Sequence, residues 1–187
     1  MTILADTTIQ KLCQSENMIV PFEERLLNPT GYDLTIDNNV LVESDPGPTN
    51  KHNLITFHEL DIFWKTQESP YYLAPGDFIL CCSEQTFNMP ENVAGQFVLK
   101  SSRAREGYQH MMAGYCEPSW NNSKLTMEIR NATRYHYLPI WPGMRIGQLV
   151  FSTAEKPQVS YAEVGHYNGD GSTRSSVTGD KRGLIQN

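Results

Sequence analysis

From residue 73 to residue 153 apolar and polar residues alternate in short runs, most of them entered through a Pro-containing turn, and this rhythm predicts strands. Pro75-Gly76 leads into Phe78-Ile-Leu-Cys-Cys82, Met89-Pro-Glu-Asn92 into 93–99, and Pro142-Gly143 into 144–151. Alternation is strictest over 124–130, where Leu125, Met127 and Ile129 fall on one face and Lys124, Thr126, Glu128 and Arg130 on the other. Earlier, Tyr32-Asp-Leu-Thr-Ile36 also alternates, and Asp37-Asn-Asn39 reads as a turn into Val40-Leu-Val42. One helix is predicted over residues 6–15, capped by Asp6 or Thr7, with Ile9, Leu12 and Cys13 on one face. Residues 44–53 hold Pro46, Gly47 and Pro48 and read as an exposed loop; 54–72 accommodates a strand or two. The expected architecture is all-β, a sandwich, jelly roll or small barrel with a short N-terminal helix.

Composition narrows the function more than the fold. A chain of 187 residues is expected to form one domain with a real core. Its 15 Lys and Arg against 21 Asp and Glu leave a net charge of −6, unlike the broad basic surface of a protein that binds polymeric nucleic acid. No apolar run reaches the roughly 18 residues of a membrane span, and no basic-then-apolar leader opens the chain, so a cytoplasmic protein is expected. Cys13, Cys81, Cys82 and Cys116 form no C-x-x-C pair, so reduced thiols are expected and no zinc cage. Residues 165–180, with four glycines and five Ser or Thr, carry too little apolar surface to hold themselves in place. A frayed terminus and a lid that closes over an anion are both open readings.

Candidate chemistry gathers in three stretches: Lys100-Ser-Ser-Arg-Ala-Arg105, Glu117-Pro-Ser-Trp120 and Thr126-Met-Glu-Ile129. The first combines hydroxyls and cations in what reads as β-structure or a polar turn after the strand ending at Leu99, and suits a phosphate. Glu128 is either a solvent-facing strand carboxylate or, in a closed pocket, a proton shuttle. Trp120 could be a flat wall for a sugar or base, or a core aromatic. His110 is a lone histidine, more often structural than catalytic, and His58-Glu59 and His52 do not make H-E-x-x-H. The H-x-E with P-C-x-x-C pattern of zinc deaminases is absent as well. The set suggests an enzyme acting on a phosphorylated small molecule.

Four motifs, in order and at matching spacing, resemble the dCTP deaminase and dUTPase superfamily. They are Asn28-Pro-Thr-Gly-Tyr-Asp-Leu34 (the "Y-D-L" strand), Ser101-Ser-Arg-Ala-Arg105 (S-S-x-A-R), Ala113-Gly-Tyr-Cys-Glu-Pro-Ser-Trp120 (A-x-x-I-D-P-G-W) and Pro142-Gly-Met-Arg-Ile-Gly-Gln-Leu-Val-Phe151 (P-G-M-x-I-G-x-L-x-F). The resemblance covers 28–36 and nearly all of 95–152, more loosely 161–172, and leaves 43–70 unmatched. It implies a distorted β-barrel or jelly roll of the dUTPase-like type over residues 1–164, a flexible C-terminal tail over 165–187 that could serve as a lid, and a homotrimer with sites between subunits. The deaminase branch fits better, because Glu128 falls where those enzymes carry their catalytic Glu.

The resemblance implies hydrolytic deamination of dCTP to dUTP and ammonia without zinc. Glu128 would be the proton shuttle, with Ser101 and Arg105 orienting water and stabilising the tetrahedral stage. Lys100, Ser102 and the tail would hold the triphosphate, with Mg²⁺ bridging its oxygens. Backbone at Ala113, Gly114 and Tyr115 would read the cytosine edge, Glu117 would bond the 3′-hydroxyl, and Trp120 would pack on the deoxyribose. Tyr161, His166, Tyr167 and Asp170 stand where the family tail uses Tyr, Lys, Tyr and Gln; dTTP feedback is a family expectation. Departures are Lys100 for Arg, Glu117 for Asp, His166 for Lys and Asp170 for Gln. One residue is missing between Arg105 and His110, and one is extra in the loop Asn121-Asn-Ser123. A modified cytosine nucleotide or a monophosphate stays open, as do a dUTPase, a deaminase that also hydrolyses its product, and a non-enzymatic trimeric nucleotide sensor.

Overall fold

A computed structural model of the chain describes residues 1–45, 47, 55–61 and 65–176. Helix α1 (Asp6–Glu16) precedes short strands β1 (Ile19–Val20) and β2 (Leu27–Asn28), then the long β3 (Gly31–Glu43) and β4 (Phe57–Asp61). Strands β5 (Tyr71–Leu73), β6 (Phe78–Asn88) and β7 (Val93–Leu99) lead to helix α2 (Ser101–Glu106) and then β8 (Tyr108–His110). The chain continues through β9 (Tyr115–Cys116), β10 (Asn121–Asn131), β11 (Leu138–Ile140), β12 (Arg145–Thr153) and the one-turn helix α3 (Tyr161–Val164). The strand-dominated reading of the sequence is what is found. Among the described residues no helix is long and apolar enough to cross a membrane.

One sheet runs in the order β8-β10-β6-β3-β12-β7-β9, with β1 on β6 and β2 and β4 on β3; β5 and β11 pair separately. Its curl originates in β3. The first half of that strand pairs with β12 through residues 32–35, whereas its second half pairs with β6 and β4 through 36–43. Between these halves the register slips: Ile36 opposes Ser83 and Val40 opposes Cys81. The predicted turn at Asp37-Asn-Asn39 is therefore a bulge inside one continuous strand, and the extra residues bend it from one half of the sheet to the other. Their polar side chains find partners: Asp37 takes Lys124, and Asn39 Nδ2 donates to Glu59 at 2.6 Å.

Three other expectations change. Helix α1 starts at residue 6 as expected but is capped by Ala5, not Asp6 or Thr7; the Asp6 carboxylate accepts from Thr7 N instead of closing the first turn. Ser101-Ser-Arg-Ala-Arg105 is helical, not extended, with Gly107 ending α2 at φ 106°. The extra residue near Asn121-Asn-Ser123 is a bulge in β10 rather than a loop, with Asn122 at φ 48°. Most of the exposed loop expected at 44–53 lies outside the described residues.

Core packing locates the site-bearing strand. Ser123, Leu125, Met127, Ile129 and Asn131 of β10 are buried, and Lys124, Thr126 and Glu128 between them are half-buried on the opposite face. Phe97 in β7 explains two motif glycines. A Cβ on Gly147 would lie 2.1 Å from the Phe97 ring and one on Gly114 2.4 Å from Phe97 Cβ, so both backbones close directly over this ring.

Candidate active site

Glu128 lies mid-strand in β10, opposite Leu80 of β6, and projects into a cavity of about 570 Å³. Its side chain is 25% exposed. Of the residues singled out from the sequence, Ala113, Tyr115, Glu117, Trp120, Tyr161, Tyr167 and Asp170 line this same cavity. Trp120 is a buried aromatic stacked on Phe87 (centroids 5.9 Å, 17° between planes) and also forms part of the cavity wall. Burial raises the phenol pKa of Tyr161 and of Tyr115, so both present neutral hydroxyls.

The tail reaches the cavity by backbone hydrogen bonds. Trp120 Nε1 donates to Tyr167 O at 2.9 Å, Gly169 N to Asn121 O at 3.1 Å, and Lys124 N to Asp170 O at 2.7 Å. Thr173 Oγ1 donates to Asn39 O at 2.6 Å. Residues 165–176 therefore lie along the start of β10 and the bulge of β3. Residues 177–187 are outside the described part.

The chain does not bring the rest of the expected set to Glu128. Ser101, Ser102 and Arg105 are exposed on α2 and are not among the cavity's walls. Lys100 Nζ is committed to Asp33, 2.7 Å from both carboxylate oxygens. Gly114 is buried, its carbonyl accepting from Phe97 N at 2.8 Å, and His166 is half-buried beside Tyr167 and is no part of the lining.

Charge in the cavity is unbalanced. Glu117, Glu128 and Asp170 supply carboxylates, while the lining cations Lys124 and Arg174 are already paired, with Asp37 and with Asp170 Oδ1 at 2.6 Å. A polyanion entering here finds acids, hydroxyls and rings, but no unpaired lining cation among the described residues.

Several lining residues escaped the sequence reading. Lys124 and Thr126 share the face of Glu128 at period 2, so the alternation already carried their signal. Ile55, Phe57, Phe78 and Leu80 form an apolar wall, and Ile55 and Phe57 belong to the stretch 43–70 that the resemblance left unmatched. Arg174 had no signal beyond its place in a polar tail. His110 is the larger omission: its Nε2 lies 3.3 Å from Glu128 Oε2.

Fold and cavity together define a mostly β, curled-sheet protein with a strand carboxylate set in its cavity. Residues 3–154 match the family described as dCTP deaminase-like, and the chain belongs to that family. It is 31% identical over 176 residues to a protein of Corynebacterium efficiens named dCTP deaminase, dUMP-forming, covering 89% of both chains. A Rhodococcus jostii protein of the same name is 33% identical, with 81% of this chain and 82% of that one covered. The crystal structure of 2′-deoxycytidine 5′-triphosphate deaminase from Agrobacterium tumefaciens superimposes with a TM-score of 0.62 at 21% identity. It covers 80% of this chain, which spans about half, 48%, of that longer one.

Proposed function

We propose that the protein deaminates dCTP by hydrolysis, with Glu128 moving the protons. The observation that carries this reading is a strand carboxylate held in a cavity beside neutral Tyr hydroxyls and the Trp120 ring, in a chain whose relatives are named dCTP deaminases. Bulk water has a pKa of ~15.7, so its attack on C4 needs a base at hand or a metal. Glu128 takes a proton from water as hydroxide adds to C4 and passes it to N3 of the ring. A second proton moves from the new hydroxyl through Glu128 to the exocyclic nitrogen. The C4–N4 bond then breaks, ammonia leaves and the uracil carbonyl forms, so dCTP and water become dUTP and ammonia.

The triphosphate needs positive charge that the cavity lacks. In this reading it comes from α2 of a second copy, whose Ser101, Ser102 and Arg105 stand exposed on another face. A surface that must meet a different surface on the next copy is heterologous, and three copies close such a contact into a ring. Arg105 and Ser101 then reach Glu128 and its water, and Mg²⁺ arrives as part of the substrate, on phosphate oxygens. The hairpin from Ala113 to Tyr115 reads the base, and Glu117 and Trp120 hold the sugar.

A second reading, release of dUMP, is favoured by the names of the relatives, which are dUMP-forming. A second water would then cleave dUTP to dUMP and pyrophosphate, with the hairpin carboxylate Glu117, also at the cavity, holding it. Incubation with Mg²⁺ and dCTP followed by chromatography separates the outcomes. Ammonia with dUTP is expected for deamination alone, and ammonia with dUMP and pyrophosphate for the coupled reaction. Unchanged dCTP would refute both. Glu128→Gln should lower turnover at least about 10³-fold with nucleotide affinity kept.

A further inference from the structure

We infer that His110 is a positioning residue for Glu128, assigning proton transfer to one of its two carboxylate oxygens. The inference rests on the proposed role of Glu128 and adds a residue to it.

Strand β8 ends at His110, where it pairs with Ile129, and the next amide, Met111 N, donates to Glu128 O at 3.2 Å. Register alone would put His110 on the face of Ile129; at the end of the strand the imidazole nonetheless reaches the Glu128 carboxylate. Its other side is closed by Phe97, edge to face at 4.6 Å between centroids. The ring is nearly enclosed, at 4% exposure. Phe97 is itself immobilised against Gly114 and Gly147, so the chain of contacts from the motif glycines to Glu128 is continuous.

The tautomer follows from one hydrogen bond. Met112 N donates to His110 Nδ1 at 3.2 Å, so Nδ1 acts as an acceptor and carries no proton. The neutral ring's proton is then on Nε2, the atom 3.3 Å from Glu128 Oε2. Both atoms are buried, and among the described residues neither has a hydrogen-bond partner. The two atoms are within reach but not yet hydrogen-bonded; a turn of the carboxylate would complete the bond, and such bonds commonly tighten only once a substrate is in place.

This arrangement makes the two oxygens of Glu128 unequal. Oε2 faces a fixed N–H donor and cannot hold a proton on that side without a clash of hydrogens. The exposed part of the side chain faces the cavity, leaving Oε1 as the oxygen that takes the proton from water and returns it to the ring. His110 neither gains nor loses a proton. It holds the carboxylate plane so that Oε1 stays aimed at the reacting atoms, and a plane free to rotate would spend most of its time misdirected.

The test compares His110→Phe, which keeps a ring against Phe97 but removes the donor, with His110→Gln, whose amide nitrogen can stand in for Nε2. His110→Phe should lower kcat by about 10²-fold with KM within about threefold, and His110→Gln should recover to within about tenfold of the parent. A His110→Phe enzyme with kcat within threefold of the parent, or a Gln variant no better than Phe, would overturn the inference. Should the Phe variant not fold, imidazole ¹⁵N shifts in the unaltered protein decide: the Nε2–H tautomer is expected, and an Nδ1–H tautomer refutes the assignment. An active Glu128→Gln would remove the function reading itself; an inactive one beside a normal His110→Phe would remove only His110.

Discussion

The indole N–H of Trp120 donates a 2.9 Å hydrogen bond to the backbone carbonyl of Tyr167, joining one wall of the cavity to the tail that borders it. Trp120 is buried and stacked on Phe87, so its indole is a fixed post for the tail. Trp120→Phe keeps the stacking and removes the donor. One hydrogen bond is worth about 1 kcal/mol net, so amides of 167–170 should exchange roughly five times faster with deuterium in the variant. Unchanged exchange there would mean that the other backbone bonds alone hold the tail.

Mixing two inactive variants tests whether the site is shared. Glu128→Gln and Arg105→Ala chains, each near zero alone, should regain about a quarter of parental activity when unfolded together at equal amounts and refolded, because one site in four then draws both intact residues. A site completed within one chain predicts no recovery, since every chain carries a lesion.

Lys100 is tied to Asp33, which is only 2% exposed and is also met by Asn28 Nδ2 at 2.8 Å and Arg145 Nη1 at 3.5 Å. Lys100→Met leaves that buried carboxylate without its closest cation and should cost about 2–4 kcal/mol in urea unfolding. Full stability with a raised KM would instead give Lys100 the phosphate role implied by its place in the motif.

Alkaline pH should weaken the fold before it harms the chemistry. Burial pushes the Cys13 thiol from 9.0 up to about 11, and the Tyr32 and Tyr108 phenols from 10.0 up to about 12. The unfolded chain releases these protons first, so the stabilisation is whole below about pH 9 and is lost as pH rises through 11 to 12. Urea midpoints should fall across that window, and the four buried cysteines should react with a thiol reagent only once the chain unfolds. A flat stability profile from pH 9 to 11 would contradict this.

The strands around the site were legible because their information is local. Leu125, Met127 and Ile129 face the core at period 2, which forces Glu128 to the other face whatever else the chain does. Asp37-Asn-Asn39 misled because turns and bulges ask for the same residues, polar ones that tolerate an unpaired backbone. Ser101-Ser-Arg-Ala-Arg105 carries no apolar stripe, so nothing in it marks a helix; Gly107 and the turn back into β8 shape it.

By itself the amino-acid order determined the all-β class, the side of β10 on which the acid stands, and the family motifs, since each depends on neighbours a few residues apart. Only the tertiary structure decided that His110 meets Glu128, that Lys100 belongs to Asp33, and that the α2 hydroxyls and cations stand away from the cavity. Those facts rest on strand register and on which surfaces one chain can fold together, and pairings between distant residues leave no periodic trace in a single sequence.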